Sequence, residues 1–147
     1  MKVAEGRIGR VFVLRLEDGD RMPECLERFA AEKGVKQAFC SLIGGIGSGQ
    51  IVVGPEDGSV LPPKAMLAKI IGEHEVAAVG TLFPDESGTP KLHMHGAFGR
   101  KDETLLGCIR PGIDVWTIGE LVVIEFEGLA LERRRDPATG FELLEVK

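Results

Sequence analysis

The segment KLHMHGAFGR, residues 91–100, alternates apolar and polar side chains as a half-buried β-strand does. Leu92, Met94 and Phe98 share one face, which suits a protein core. His93 and His95 lie on the other face, which either lines a pocket or meets another subunit. Because side chains at i and i+2 of a strand point the same way, the two imidazoles can converge on one metal ion. The alternative is a pair of exposed polar side chains.

A helix is predicted nearer the N-terminus, in DGDRMPECLERFAAEKGV, residues 18–35. Its apolar side chains recur with the period of an amphipathic helix, at Met22, Cys25, Leu26, Phe29 and Ala30. Pro23 suits the first turn of this helix, and Gly34 suits the left-handed residue that commonly follows the last turn. One amphipathic helix is therefore expected.

Most of the remaining chain favours strands bounded by Gly, Pro or Asp, such as HEVAAVGTLF (74–83) and DVWTIGELVVIEFEG (114–128). The four glycines within positions 44–49 predict a flexible turn between two strands. Residues 55–65 are expected to form a loop, with room for a short turn of helix at residues 64–67. Together these patterns predict an α+β fold in a single domain, residues 1–147. It would be a largely antiparallel β-sheet with one main amphipathic helix packed on it.

Composition narrows the classes of function. The net charge of −5 and the scattered basic residues disfavour direct nucleic-acid binding, and the three adjacent arginines at 133–135 are expected to form a solvated segment. No apolar run approaches the length that spans a bilayer, and the first residues lack the apolar core of a signal peptide. Cys25, Cys40 and Cys108 have scattered spacings, which favours buried, reduced thiols. A cytoplasmic protein without membrane attachment is expected.

A metal site needs a third ligand besides the two histidines. His74 is the remaining histidine of the chain. Antiparallel pairing of residues 74–82 with 91–98 would place it nearer Phe98 or Gly99 than His93, so closing the site would need a bulge or non-neighbouring strands. Other candidate ligands are Glu73, Glu75, Glu120 and Cys108. A site with two or three histidines and one open position suits catalytic zinc.

Several segments, taken in order, resemble one known family. They are RVFVLRLEDGDRMPECLERFAAEKGVKQAFCSLIGGIGSGQI, VAAVGTL, LHMHGAFGRKDETLLGCI and GELVVIEFE. Together, over residues 9–128, they are similar to the plants-and-prokaryotes conserved (PPC) domain in its stand-alone prokaryotic form. The resemblance implies an α+β fold, a homotrimer and a fold similar to acetolactate decarboxylase, whose zinc is held by histidines that include an H-x-H pair. It implies a divalent transition metal such as zinc at His93 and His95.

The chain departs from the family pattern in two places. Many members carry Gly-Gly-His after the H-x-H segment, whereas this chain has GCI at residues 107–109, with Ile109 where that histidine would be. His74 is then the best replacement ligand. Plant members also carry an AT-hook with an Arg-Gly-Arg-Pro core, which is not found in this sequence.

Three functions are compatible with these observations. The first is a trimeric, metal-binding module for self-association or for binding a protein partner or small molecule. The second is a small zinc-dependent enzyme that acts on a carbonyl-containing metabolite, with catalytic residues that the sequence leaves unknown. The third is DNA binding, which the net charge and the lack of an AT-hook disfavour.

Overall fold

The computed structural model describes residues 1–146, which form one helix and nine strands. The elements are β1 (Arg7–Glu17), β2 (Arg21–Met22), α1 (Glu24–Lys33), β3 (Ala38–Pro55), β4 (Ala65–Pro84), β5 (Pro90–Arg100), β6 (Glu103–Cys108), β7 (Ile113–Glu127), β8 (Leu131–Arg135) and β9 (Glu142–Val146). Seven of the strands form one sheet in the order β1-β7-β3-β4-β5-β6, with β2 paired to β7. All pairings between these strands are antiparallel, which confirms the predicted fold class.

The sheet partly closes on itself. β6 pairs with β5 along its length and also reaches β3, where Cys108 pairs with Val52. The closure is possible because β3 and β4 are long and carry register shifts that let them bend. Strands β8 and β9 form a separate two-stranded hairpin, and Arg133 of β8 bridges to Asp85 just after β4.

Helix α1 begins after Pro23 and ends at Lys33, as the sequence predicts. Gly34 adopts the left-handed conformation at φ 66°, which lets its N–H reach carbonyls of the last turn. Leu26 and Ala30 are fully buried and join the core on one face of the sheet. The predicted amphipathic helix is confirmed.

The strand register divides the sheet into a core face and an outer face. Leu42, Leu121, Met94 and Phe98 are among the buried core side chains. The outer face carries apolar side chains that are more than half exposed: Val11, Val13, Ile43, Val79 and Leu106. We call this set the outer apolar face. It shares one side of the sheet with His93 and His95, since Val79 pairs with His95.

Two local predictions were wrong. The glycines of positions 44–49 lie inside the continuous strand β3 instead of forming a turn. Gly44 has φ 135°, and a Cβ on it would collide with the Ile118 carbonyl of the adjacent β7, so glycine allows the strands to approach closely at a bulge. Residues 65–67 belong to β4, where Leu67 pairs with Val52, so the expected helical turn does not form.

Within residues 1–146, the structure contains no helix long and apolar enough to cross a membrane.

Candidate metal centre

His93 and His95 lie side by side on the outer face of β5. Their Nε2 atoms are 3.0 Å apart, and their ring centroids are 4.9 Å apart. Alternation along β5 sends Leu92 and Met94 into the core, which leaves the two imidazoles exposed on the opposite side. The predicted division of this strand into an apolar face and a histidine face is confirmed.

Cys108 supplies a third ligand atom beside the two histidines. It ends β6 and pairs directly with His95, so its side chain lies on the same face of the sheet. One ring nitrogen from each histidine and the Cys108 Sγ lie within 4.8 Å of one another. Ligand atoms around a tetrahedral zinc ion are separated by about 3.3–3.6 Å, given bond lengths near 2.0–2.3 Å. Small side-chain rotations would therefore bring these three atoms onto one ion.

A short turn determines that Cys108 faces His95. Arg100 pairs with Glu103, so Lys101 and Asp102 form a two-residue connection, and counting back from it pairs position 95 with position 108. Lys101 has φ 53°, as such hairpin turns require. The sequence names Cys108 only as one alternative ligand, but the turn residues at 101–102 were the signal that could have selected it.

The structure does not bring His74 to the histidine pair within one protomer. Glu75 pairs with Gly99, so the expected register is confirmed and His74 lies beyond it. His93 pairs with Thr81, which lies seven residues, or about 23 Å, along β4 from His74. The Nδ1–H of His74 donates to the Gly72 carbonyl oxygen at 2.8 Å, and its side chain lines a different depression beside Arg100.

The other candidate ligands also lie outside the group. Among the described residues, the three-ligand group contains none of the carboxylates considered from the sequence, which are Glu73, Glu75 and Glu120. Ile109 is fully buried in the core, and its N–H donates to the Met94 carbonyl oxygen. Position 109 therefore faces away from the histidines, whereas position 108 faces them.

An open cleft of about 800 Å³ lies over the three ligand atoms. The β8–β9 hairpin contributes one wall through Arg133, Phe141 and Leu143. Arg133 is only 7% exposed, and its Nη2 donates to Thr81 Oγ1 at 3.1 Å and to the Thr81 carbonyl oxygen at 3.4 Å. The expected solvated arginine segment is therefore wrong at Arg133, because β8 alternates and turns this side chain toward β4.

The electrostatics of the cleft favour a neutral imidazole at His93. Desolvation lowers the pKa of His93 below its ordinary value of 6.5, and the positive charges of Arg133, His95 and Arg110 lower it further. A neutral imidazole is the form that binds a metal ion. By contrast, burial raises the pKa of Cys25 to about 11 and that of Cys40 to about 12, so both remain thiols at neutral pH.

Solved structures from several organisms share this fold. A metal-containing protein from Archaeoglobus fulgidus superposes with a TM-score of 0.84 at 28% identity, covering 97% of this chain and 98% of that one. A plant- and prokaryote-conserved protein from Pyrococcus horikoshii gives a TM-score of 0.81 at 20% identity, covering 97% and 99%. A candidate DNA-binding protein from Ralstonia eutropha gives 0.76 at 20% identity, covering 92% and 90%. The last two likenesses show the fold alone.

Sequence comparisons extend the likeness. Two bifunctional GlmU proteins from Synechococcus strains are 28% and 26% identical over 141 residues, which are 94% of this chain. The chain spans only about a fifth of the length of these curated relatives. The model of the Plants and Prokaryotes Conserved (PCC) domain matches residues 3–127, which is most of the chain. The chain therefore belongs to the Plants and Prokaryotes Conserved domain family.

Proposed function

We propose that this chain is a metal-binding, self-associating PCC-domain protein. His93 Nε2, His95 Nε2 and Cys108 Sγ would hold zinc or another divalent transition metal ion. The observation that carries the proposal is the convergence of a ring nitrogen from each histidine and the Cys108 Sγ within 4.8 Å. Imidazole and thiolate ligands suit zinc. The 28% identical protein from Archaeoglobus fulgidus, which is named metal-containing, supports a metal in this fold.

Three protein ligands would leave one position of a tetrahedral ion open toward the cleft. An ion with an open position polarises a carbonyl group or lowers the pKa of a bound water. The cleft of about 800 Å³ over the ligands favours a second candidate function, a small metal-dependent enzyme that acts on a carbonyl-containing metabolite. The similarity in fold to acetolactate decarboxylase, which the family resemblance implies, stays a prediction.

The same module would assemble as a homotrimer. The outer apolar face exposes Val11, Val13, Ile43, Val79 and Leu106 on one side of the sheet. Apolar side chains exposed together on one side of a sheet favour an interface between protein chains. Direct DNA binding is disfavoured, because a net charge of −5 provides little attraction for phosphates.

Elemental analysis of the purified protein tests the metal proposal. After incubation with zinc and dialysis, we expect about one zinc per chain in the parent protein, and a strong loss in His93→Ala, His95→Ala and Cys108→Ser, since each change removes one of only three ligands. His74→Ala is the matched control and should retain zinc, because His74 lies about 23 Å along β4 from the partner of His93.

Cobalt substitution tests independently whether Cys108 is the third ligand. Cobalt-loaded parent protein and a Cys25→Ser control should show sulfur-to-cobalt charge-transfer absorption in the near ultraviolet, and Cys108→Ser should lack it. A metal-free parent would refute the site. Loss of zinc in His74→Ala with retention in Cys108→Ser would instead favour a site completed by His74.

A further inference from the structure

Arg133 is a buried cation without a counter-ion in contact. Its side chain lines the cleft, it is 7% exposed, and its Nε has no hydrogen-bond partner among residues 1–146. Its only hydrogen bonds within that range run from Nη2 to Thr81, and no carboxylate in that range forms an ion pair with it. Burying a charge is costly unless an opposite charge accompanies it, so this arrangement suits an anion that arrives with a ligand.

The carboxylates that line the cleft do not fill this role. Glu27 accepts a hydrogen bond from the backbone N–H of Leu92 at 2.9 Å, and Glu24 lies 3.4 Å from the guanidinium of Arg21. Burial lowers the pKa of Arg133, and the charge of Glu142, which raises that pKa, does not outweigh it. Arg110, Arg135 and Lys91 add further positive charge to the lining. The cleft therefore favours an anionic ligand.

The arginine and the metal ligands are close enough for one small molecule to contact both. Arg133 donates to Thr81, and Thr81 pairs directly with His93 across β4 and β5. Paired residues in an antiparallel sheet have Cα atoms about 4.5–5.5 Å apart. Apolar side chains at Phe141 and Leu143 line the same cleft and could contact a carbon skeleton.

We infer that the cleft binds a small organic carboxylate. Its carboxylate would accept hydrogen bonds from the Arg133 guanidinium, while a neighbouring oxygen would occupy the open position on the metal ion. A guanidinium matches a carboxylate because its planar N–H fork can donate two parallel hydrogen bonds. The inference deepens the proposed function, and it rests on that function for the contact with the metal.

The side-chain Nε–H signal of Arg133 in ¹H–¹⁵N NMR tests the inference directly. Glycolate, acetate and inorganic phosphate serve as probes, each titrated into zinc-loaded and zinc-free protein. Glycolate should shift the Arg133 signal saturably and should bind the zinc-loaded protein more tightly than acetate does, because its hydroxyl adds a metal contact. Arg133→Gln should weaken glycolate binding by about tenfold or more, the usual scale for a charge-assisted hydrogen bond. Arg135→Gln, at an exposed arginine of the cleft, is the matched control and should change the affinity by less than about threefold.

The titrations of zinc-free protein distinguish failure of this inference from failure of the metal proposal. Saturable acetate or glycolate binding without zinc, weakened in Arg133→Gln, supports the carboxylate site even if zinc is not retained. Tighter binding of phosphate than of either carboxylate in both states would overturn the assignment. So would glycolate affinity unchanged in Arg133→Gln. If that variant does not fold, the parent titration decides, because a saturable shift confined to signals other than Arg133 refutes the inference.

Discussion

The side chains of Cys108 and Ile109 point in different directions. Cys108 faces the two histidines, whereas Ile109 is 1% exposed and belongs to the core. The PPC resemblance implies that many family members have a histidine where this chain has Ile109. The isoleucine alone would suggest that this segment provides no third ligand. The thiol at position 108 offers a candidate in its place, because β6 pairs it with His95. A thiolate also carries a negative charge, which offsets part of the charge of a bound cation.

The pKa of His93 should depend on the positive charges around it. In metal-free protein His93 should titrate below 6.5, since desolvation and the charges of Arg133, His95 and Arg110 all lower its pKa. Arg133→Gln removes one repulsive charge and should raise the pKa of His93, whereas Arg135→Gln should leave it nearly unchanged. NMR titration of the imidazole Cε1–H signals measures both effects. A pKa that does not rise in Arg133→Gln would contradict the electrostatic account.

The lowered pKa of His93 also makes the stability of the folded protein depend on pH. A histidine whose folded-state pKa is depressed is protonated more readily in the unfolded chain, so acid favours unfolding. The metal-free protein should therefore lose stability as the pH falls from about 6.5 through the depressed pKa of His93. Added zinc should stabilise the protein at neutral pH and do so less in acid, because protons compete for the imidazoles.

For the helix and the strands, local sequence patterns predicted the features that depend only on residues close together in the chain. The amphipathic period, Pro23 and Gly34 give α1 almost to the residue, and the loop at 84–90 fixes the register of β4 against β5. The glycines of β3 misled the prediction because they serve a contact with β7 that is distant in sequence. The burial of Arg133 likewise depends on where β8 packs, which no local pattern encodes.

Gly44→Ala tests the account of the glycine run in β3. A Cβ at Gly44 would meet the Ile118 backbone, and φ 135° is strained for any other residue, so we expect unfolding at lower urea concentration, with a loss of about 2 kcal/mol or more. Gly58→Ala is the matched control, because no atom lies within 4 Å of a Cβ built there. It should change stability by less than about 0.5 kcal/mol. Equal stabilities for the two variants would mean that Gly44 needs no special conformation.

The outer apolar face gives a prediction for the whole molecule. Analytical ultracentrifugation at micromolar concentration should detect a trimer for the parent protein. Val13→Asp should dissociate it, because Val13 is 77% exposed on this face and a buried, unpaired carboxylate opposes association. Val60→Asp is the matched control, since Val60 is 54% exposed in a loop between β3 and β4, and it should remain trimeric. A monomeric parent protein would contradict the proposed assembly.

Cys108 pairs with both His95 of β5 and Val52 of β3, so it lies at the seam where the sheet closes. An ion bound to His93, His95 and Cys108 would cross-link β5 to β6 beside that seam. Separation of β5 from β6 would then require release of the ion. Zinc should therefore slow hydrogen exchange at the β6 amides far more than at the α1 amides, while equal slowing would mean that the ion stabilises the chain only globally. The ion would thereby hold together the strand pair that carries both kinds of ligand.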